Sequence, residues 1–289
     1  VVIDARTFLL ALIGYPVGHS RSPRLHNAAL AATGQNGVYL ALETPPEGLV
    51  DAIHGVRAWR LRGLNVTIPH KVAVIPLLDG LTPAAQVVGA VNTLFWEGDR
   101  LFGDNTDVAG FQALLGSDPL EGAHAVVLGA GGSARAVAHA LGLARVRTVS
   151  LAVRRTGASL ELIGAMAATH PDTTWQEVPW TELDRLLPSA DRVINSTPIG
   201  MDPEGGRSPL DPSQITCLKP TCQVLDLVYN PSPTKLVALA AEAGLVARAG
   251  LPMLVAQAQA AFERWTGRAV PEEVWLRALL EPDSVRKGV

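Results

Sequence analysis

The sequence has only two cysteines, no long hydrophobic run and no basic cluster. Each shortage removes a class of function. Cys217 and Cys222 lie in C-L-K-P-T-C, a spacing that matches no usual zinc knuckle, and no His or further Cys lies near enough to complete one. The pair reads as reduced and structurally incidental, and no metal site is expected. The apolar run Phe8 to Ile13 is too short to span a bilayer. It also lacks a clear basic leader and a small-residue cleavage site, so the expectation is a cytoplasmic protein with no membrane partner. Net charge is −3, and the tightest basic groupings are Arg154-Arg155 and the Arg57 to Arg62 region. That is too little for a nucleic-acid footprint, although one phosphate on a small molecule stays within reach.

What is present is a globular composition. Apolar residues make up 48% and charged residues 18% of the chain, which places it among folded proteins. Its 289 residues suffice for one large domain or two ordinary ones.

The first hundred residues read as alternating strands and helices. Phe8–Ile13 is a continuous apolar run typical of a buried strand. A helix is expected to open with Ser22 as N-cap and Pro23 at its first position, and to stop at Gly34. Val38–Leu42 reads as a strand and Pro46 to Val56 as a helix. Leu64, Val66 and Ile68 alternate with Asn65 and Thr67, which in a strand puts Asn65 and Thr67 on one face. Val91–Trp96 and Arg100–Gly103 form a candidate hairpin. From about residue 123 strands and helices alternate regularly, with strands at His124–Leu128, Thr148–Val153, Thr173–Val178, Arg192–Ser196, Gln223–Leu227 and Leu245–Ala249. That series predicts a parallel, doubly wound sheet. The final helices follow it, and the chain is expected to return there to the first domain.

Ala125-Val126-Val127-Leu128 runs directly into G-A-G-G-S-A-R, and a helical pattern follows. Gly129 and Gly131 fill the first two positions of a dinucleotide fingerprint and Ala134 the third. They allow a tight turn, a close backbone approach to a pyrophosphate, and close packing of helix on strand. The helix N-terminus then faces the anion. After the next strand, where an acidic residue would serve the ribose hydroxyls of NAD, the chain has Arg154-Arg155-Thr156. Two guanidiniums and a hydroxyl suit the extra phosphate of NADP.

The remaining polar residues concentrate between Asn65 and Asp107, in N-V-T-I-P-H-K, G-A-V-N-T-L and G-D-N-T-D. Together with I-G-Y-P-V-G-H-S-R-S-P, G-A-G-G-S-A-R, N-S-T-P-I-G-M and M-L-V-A-Q, in that family's order over nearly the full length, they make the chain resemble the shikimate dehydrogenases. The resemblance implies an open α/β substrate domain facing a Rossmann-type doubly wound NADP-binding domain across a cleft. The substrate domain is expected at residues 1–106, completed by 250–289, and the NADP domain at 107–249. The implied reaction is the NADPH-dependent reduction of 3-dehydroshikimate to shikimate, by a monomer or homodimer.

Carried over by position, the resemblance puts Ser20 and Ser22 on the substrate carboxylate. It puts Asn65, Thr67, Asn92, Asp107, Tyr229 and Gln257 on the ring hydroxyls, and Lys71 with Asp107 in the acid/base role. Gly129, Ala130, Gly131, Gly132 and Ser133 would hold the pyrophosphate, and Arg154, Arg155 and Thr156 the adenosine phosphate. Thr197, Leu227 and Gly250 would line the nicotinamide side. Residue chemistry adds that Asp107 also makes a good N-cap for the helical pattern after it. Gln257 falls within an apolar stripe, where an amide needs a partner. Val108, Ala249 and Arg154 depart from that family's commonest residues, which are Gly, Asp and Asn there. The alternatives are an NAD-dependent quinate/shikimate dehydrogenase and a non-catalytic ligand-binding relative.

Overall fold

The computed structural model describes residues 3–202 and 206–280 of the chain. It begins with β1 (Phe8–Gly14), α1 (Ser22–Ala32), β2 (Gly37–Glu43), α2 (Leu49–Ala58), β3 (Gly63–Val66) and the two-residue β4 (Gly80–Leu81). Then come α3 (Pro83–Val88), the hairpin β5 (Thr93–Glu97) and β6 (Arg100–Asp104), and α4 (Asp107–Leu115). The regular series follows as β7 (His124–Leu128), α5 (Gly132–Leu143), β8 (Thr148–Val153), α6 (Leu160–Thr169) and β9 (Thr174–Pro179). The chain continues through α7 (Leu183–Leu186), β10 (Arg192–Asn195), α8 (Pro212–Thr216), β11 (Gln223–Asp226), α9 (Lys235–Glu242) and β12 (Val246–Ala249). Two helices, α10 (Leu251–Thr266) and α11 (Glu272–Leu280), close it.

These elements divide into two compact units. The first comprises the chain through Thr82, Val91–Thr106 and the chain from Gln257 onward; the second comprises Pro83–Ala90 and Asp107–Ala256. Residues 281–289, part of the expected C-terminal return, lie outside the described residues.

The first unit is built on a mixed sheet of order β2-β1-β3-β5-β6-β4. β1 pairs in parallel with β2 and β3, whereas β3–β5 and β5–β6 are antiparallel. Its aromatic core gathers Tyr39, Phe262, Trp265 and Trp275 around His26, whose ring stacks on Tyr39 at 4.3 Å between centroids. His26 is fully buried, and neither ring nitrogen has a hydrogen-bond partner among the described residues. Burial alone pushes its pKa down to about 3, because a charged imidazolium has nothing there to solvate it.

The second unit carries a wholly parallel sheet of order β12-β11-β10-β7-β8-β9. Counted along the chain, that is the doubly wound order whose direction reverses between β7 and β10. Val126, Val127 and Leu128 of β7 are completely buried, each such side chain contributing roughly 1.5–3 kcal/mol by leaving water. Val88 and Ala90 share the core cluster of Phe111, Val137 and Leu141, which is why α3 belongs to this unit. Val108 fills part of the same core.

Several local expectations need correction. β3 is buried at all four positions and ends at Val66, so Thr67 lies past the strand and does not share a face with Asn65 along it. It lies between β1 and β5, and Ile68 is 52% exposed beyond the strand end. Helix α1 begins at Ser22 with Arg21 as N-cap, one residue earlier than expected. Cys217 and Cys222 are both free, and burial pushes the Cys222 thiol up to about 11, which makes it inert.

Candidate active site

In the first unit, backbone bonds stitch the carboxyl ends of β1 and β3 to the segment before β5. Thr67 N–H donates to the Ile13 carbonyl and Val66 N–H to the Asn92 carbonyl, both at 2.9 Å. Asn65 and Asn92 are thereby brought together, 5% and 3% exposed. The Asn65 side-chain carbonyl accepts the Tyr39 hydroxyl at 2.7 Å, and its amide donates to Asn92 O at 3.0 Å and Thr93 Oγ1 at 3.2 Å. Asn92 Oδ1 accepts the Thr106 N–H at 2.8 Å and the Thr93 hydroxyl at 3.0 Å, while its Nδ2 donates to Thr106 Oγ1 at 2.9 Å. Both hydrogens of the Asn65 amide are therefore spent inside the protein. What Asn65 still offers a ligand is the second lone pair of its Oδ1.

Lys71 is only 9% exposed, a rare condition for lysine. Its carbonyl accepts the Val91 N–H at 2.7 Å, so its backbone is tied one residue from Asn92 in the segment before β5. His70 beside it is buried, with Nε2 at 2.7 Å from the Thr44 carbonyl. Ser20 is half-buried and its hydroxyl accepts the Ser22 N–H at 3.2 Å; Ser22 itself is buried. Thr67 is half-buried just past the end of β3. Gln257 is half-buried on α10, so its amide is not enclosed in the apolar stripe as its spacing suggested. Nearby, Asp104 fastens the start of N-T-D: it accepts Thr82 Oγ1 at 2.6 Å, Asn105 N–H at 2.8 Å and Arg264 Nη2 at 2.8 Å.

The second unit holds the other predicted groups. Asp107 is buried as the first helical residue of α4, one past the cap position, where the helix dipole favours a negative charge. Gly129 follows β7 with φ +100°, and a Cβ there would meet Thr197 Cγ2 at 2.9 Å. Gly131 is exposed and is the N-cap of α5; it has no side chain to cap that helix, and a Cβ added to it would meet nothing within 4 Å. The first amides of α5 thus open onto free space beside the switch point, a cradle that fits a pyrophosphate. Arg154, Arg155 and Thr156 are exposed directly after β8, the neighbouring strand. The residues present fit a 2′-phosphorylated dinucleotide.

Across the switch point, β10 and β11 end in a buried pair that the sequence reading passed over. Asn195 and Asp226 are register partners, both at 0% exposure. Asn195 Oδ1 accepts the N–H and the hydroxyl of Thr197 at 3.0 and 2.7 Å, and Nδ2 donates to Asp226 Oδ1 at 2.9 Å. Asp226 also accepts the Val228 N–H at 3.0 Å and the Thr234 hydroxyl at 2.7 Å. Burial pushes the Asp226 carboxyl up to about 6, against these three bonds, which favour its charged form. Gly250 donates its N–H to Val228 O at 3.1 Å, and a Cβ there would sit 2.2 Å from Leu227 O, so only glycine fits. Tyr229 follows, half-buried. The signal available in the sequence was a lone polar residue ending each of two apolar strands.

Of the predicted site residues, Ser20, Ser22, Asn65, Thr67, Lys71, Asn92 and Gln257 fall in the first unit. Asp107, Tyr229 and all the dinucleotide candidates fall in the second. Among the described residues no group of His, Cys, Asp and Glu has the makings of a metal site, and no helix is long and apolar enough to cross a membrane.

Comparison with known proteins places this geometry. Residues 12–94 match the model of the shikimate dehydrogenase substrate binding domain, and residues 250–280 that of the shikimate 5′-dehydrogenase C-terminal domain. The shikimate dehydrogenase (NADP(+)) of a Synechocystis species is 44% identical, covering 96% of this chain and 97% of the relative. A crystal structure of a shikimate dehydrogenase in complex with NADP+ superposes with a TM-score of 0.86 at 35% identity, covering 96% of each chain. That of the Thermus thermophilus enzyme, in complex with NADP(H) and shikimate, gives 0.81 at 37% identity over 94% of this chain and 100% of the other. Identity at this level along the whole length, on the same two sheets, means that the chain belongs to the shikimate dehydrogenase family.

Proposed function

We propose that this protein catalyses the reversible, NADPH-dependent reduction of 3-dehydroshikimate to shikimate, on the route to the aromatic amino acids. The observation that carries the reading is Lys71, a basic residue only 9% exposed whose backbone carbonyl is bonded to Val91, next to Asn92 and its linked amides and hydroxyls. Residues 1–106 with 250–289 are assigned substrate binding and 107–249 NADP binding. The location that goes with this reading is the cytoplasm, and the assembly a monomer or homodimer.

When bound, NADPH supplies the hydride that reduces the substrate ketone. Gly129 to Ser133 are assigned its pyrophosphate, Arg154 to Thr156 its adenosine phosphate, and Thr197, Leu227 and Gly250 the nicotinamide side. The carbonyl oxygen gains negative charge as the hydride arrives and must take up a proton. Lys71 stabilises that charge through its ammonium and donates the proton from Nζ; in the oxidative direction it takes the proton back. A positioned acid of this kind contributes about 10²–10⁴-fold in rate. Asp107 accepts a hydrogen bond from the substrate hydroxyl and fixes its orientation. Ser20 and Ser22 bind the carboxylate, while Asn65, Thr67, Asn92, Tyr229 and Gln257 bind the hydroxyls. Uncharged groups suit hydroxyls, because they fix direction without attracting other anions into the site.

The test is Lys71→Ala. Turnover is expected to fall by at least ~100-fold with the KM for shikimate changed only a few-fold, as for a group that acts in the transition state. Near-normal turnover refutes the role of Lys71. Rates with shikimate and quinate, each with NADP and NAD, test the substrate and cofactor assignment; efficient quinate oxidation with NAD overturns it.

A further inference from the structure

The carboxyl edge of the second sheet has two sides, and they are held together differently. On the β7–β8 side lie the glycine loop and Arg154 to Thr156, assigned above to the pyrophosphate and the adenosine phosphate. A dinucleotide bound at a doubly wound switch point extends across it, so its other nucleotide belongs to the β10–β12 side. That side is organised from below by Asn195 and Asp226, neither of which reaches the surface.

The bonds of this pair run to three separate backbone segments. Asn195 holds the start of the loop after β10 at two points, accepting from Thr197 and donating to the Ile199 carbonyl at 3.1 Å. Asp226 holds the segment after β11 through the Val228 N–H, and the start of α9 through the Thr234 hydroxyl, which itself caps the Val237 N–H at 3.2 Å. Gly250 is hung on that second segment through Val228 O. The donors on Asp226 are all neutral, two meeting Oδ1 and one meeting Oδ2, so both carboxylate oxygens are engaged by the protein itself.

Resting on the proposed use of NADP, we infer that Asn195 and Asp226 are positioning residues for the nicotinamide half of the cofactor and leave the adenosine half untouched. Their bonds fix in advance the loops carrying Thr197, Leu227 and Gly250. Without them the loops must be ordered by the ligand, which lowers affinity by the cost of that ordering.

The experiment is calorimetric titration of full-length Asn195→Ala with two probes, adenosine 2′,5′-bisphosphate and NADP+. The bisphosphate carries only the adenosine half. Its affinity is expected to stay within about 2-fold of the unmodified chain while NADP+ binds about 10-fold more weakly, the effect of about one net hydrogen bond or one loop-ordering step. Asp226→Asn preserves volume and two of the three contacts, and is expected to show the same split at about 3-fold. It carries the test if Asn195→Ala does not fold. Equal weakening of both probes, or no change in either, overturns the inference. If the unmodified chain binds neither probe, the NADP reading falls with it; if it binds both and the variants show no split, this inference alone falls.

Discussion

The two sheets of this protein each end in a buried polar cluster, and the clusters solve the same problem with different chemistry. In the first unit Asn65, Asn92, Thr93 and Thr106 bond one another through amides and hydroxyls. In the second, Asn195 and Thr234 converge on a carboxylate, Asp226. A neutral network pays desolvation once and then behaves identically at every pH. A carboxylate accepts three donors at a single residue, but it is charged, and burial raises its pKa to about 6. The difference predicts where each unit is rigid and where it responds to protons.

The largest expected effect is in the neutral cluster. Asn92→Ala leaves the Thr106 N–H and the Thr93 hydroxyl without their acceptor in a region closed to water. At about 1–3 kcal/mol per orphaned group, the loss is about 4 kcal/mol, read as a lowered urea midpoint. Amides and hydroxyls do not titrate between pH 5 and pH 7, so the loss is expected to be the same at both. A loss that changes with pH would mean that a charged group belongs to the network.

The next effect concerns His26, a fully buried imidazole of the first unit. Its folded pKa, about 3, lies below the ordinary imidazole value of 6.5, so the unfolded chain takes up the proton first. Its contribution to stability is complete above about pH 6.5 and is lost as pH falls toward 3. Between pH 7 and pH 5 that amounts to about 2 kcal/mol, and His26→Phe is expected to remove that part of the acid sensitivity. An unchanged pH profile in the variant would show that the ring gains a proton partner before the fold yields.

Asp226 works in the opposite direction. Its folded pKa, about 6, lies above the ordinary carboxyl value of 3.8, so the folded chain takes up the proton first. The stability it contributes is complete below about pH 3.8 and is lost as pH rises through 6. Over pH 5 to 7 this is about 1.4 kcal/mol, so Asp226→Asn gains by that amount on the unmodified chain as pH rises across the window. Comparison of the two variants' denaturation midpoints at both pH values separates the units: their slopes must have opposite sign.

Much of this second cluster's scaffold was legible in the sequence, and its polar members were not. Strands β7 and β8 occupy the positions their apolar runs predicted, because a strand buried on both faces writes a continuous apolar signal. Asn195 and Asp226 interrupt no pattern; each is one polar residue at a strand end, where turns usually begin. Only the register that pairs them across β10 and β11 gives them meaning. In the first unit β3 misled for the converse reason. Its apparent alternation came from Asn65, which is as buried as its neighbours because Tyr39 and Thr93, distant in sequence, supply its partners. The two-residue β4 has no sequence signal, since it exists only by pairing with β6. The short motifs carried the candidate site residues, but not the bonds that occupy them: nothing near Asn65 in sequence indicates that both its amide hydrogens are already used.

The smallest expected effect compares two acids, each holding three donors. Asp104 has a cation among its partners, Arg264, whereas the donors on Asp226 are neutral. The Arg264 side chain is 43% exposed, and its guanidinium also lies over the Phe95 ring, 4.7 Å from the centroid. Water screens a pair of this kind, so removing the charge costs less than the short 2.8 Å contact suggests. Arg264→Met keeps an apolar stem against Phe95 and leaves Asp104 the Thr82 hydroxyl and the Asn105 amide. The expected loss is under about 1 kcal/mol, and it shrinks further in 1 M salt. A loss above about 2 kcal/mol that salt does not reduce would mean that Asp104 depends on its cation as a buried ion pair does. The contrast between a screened acid in one unit and a neutrally solvated acid in the other would then have to be redrawn around charge pairing.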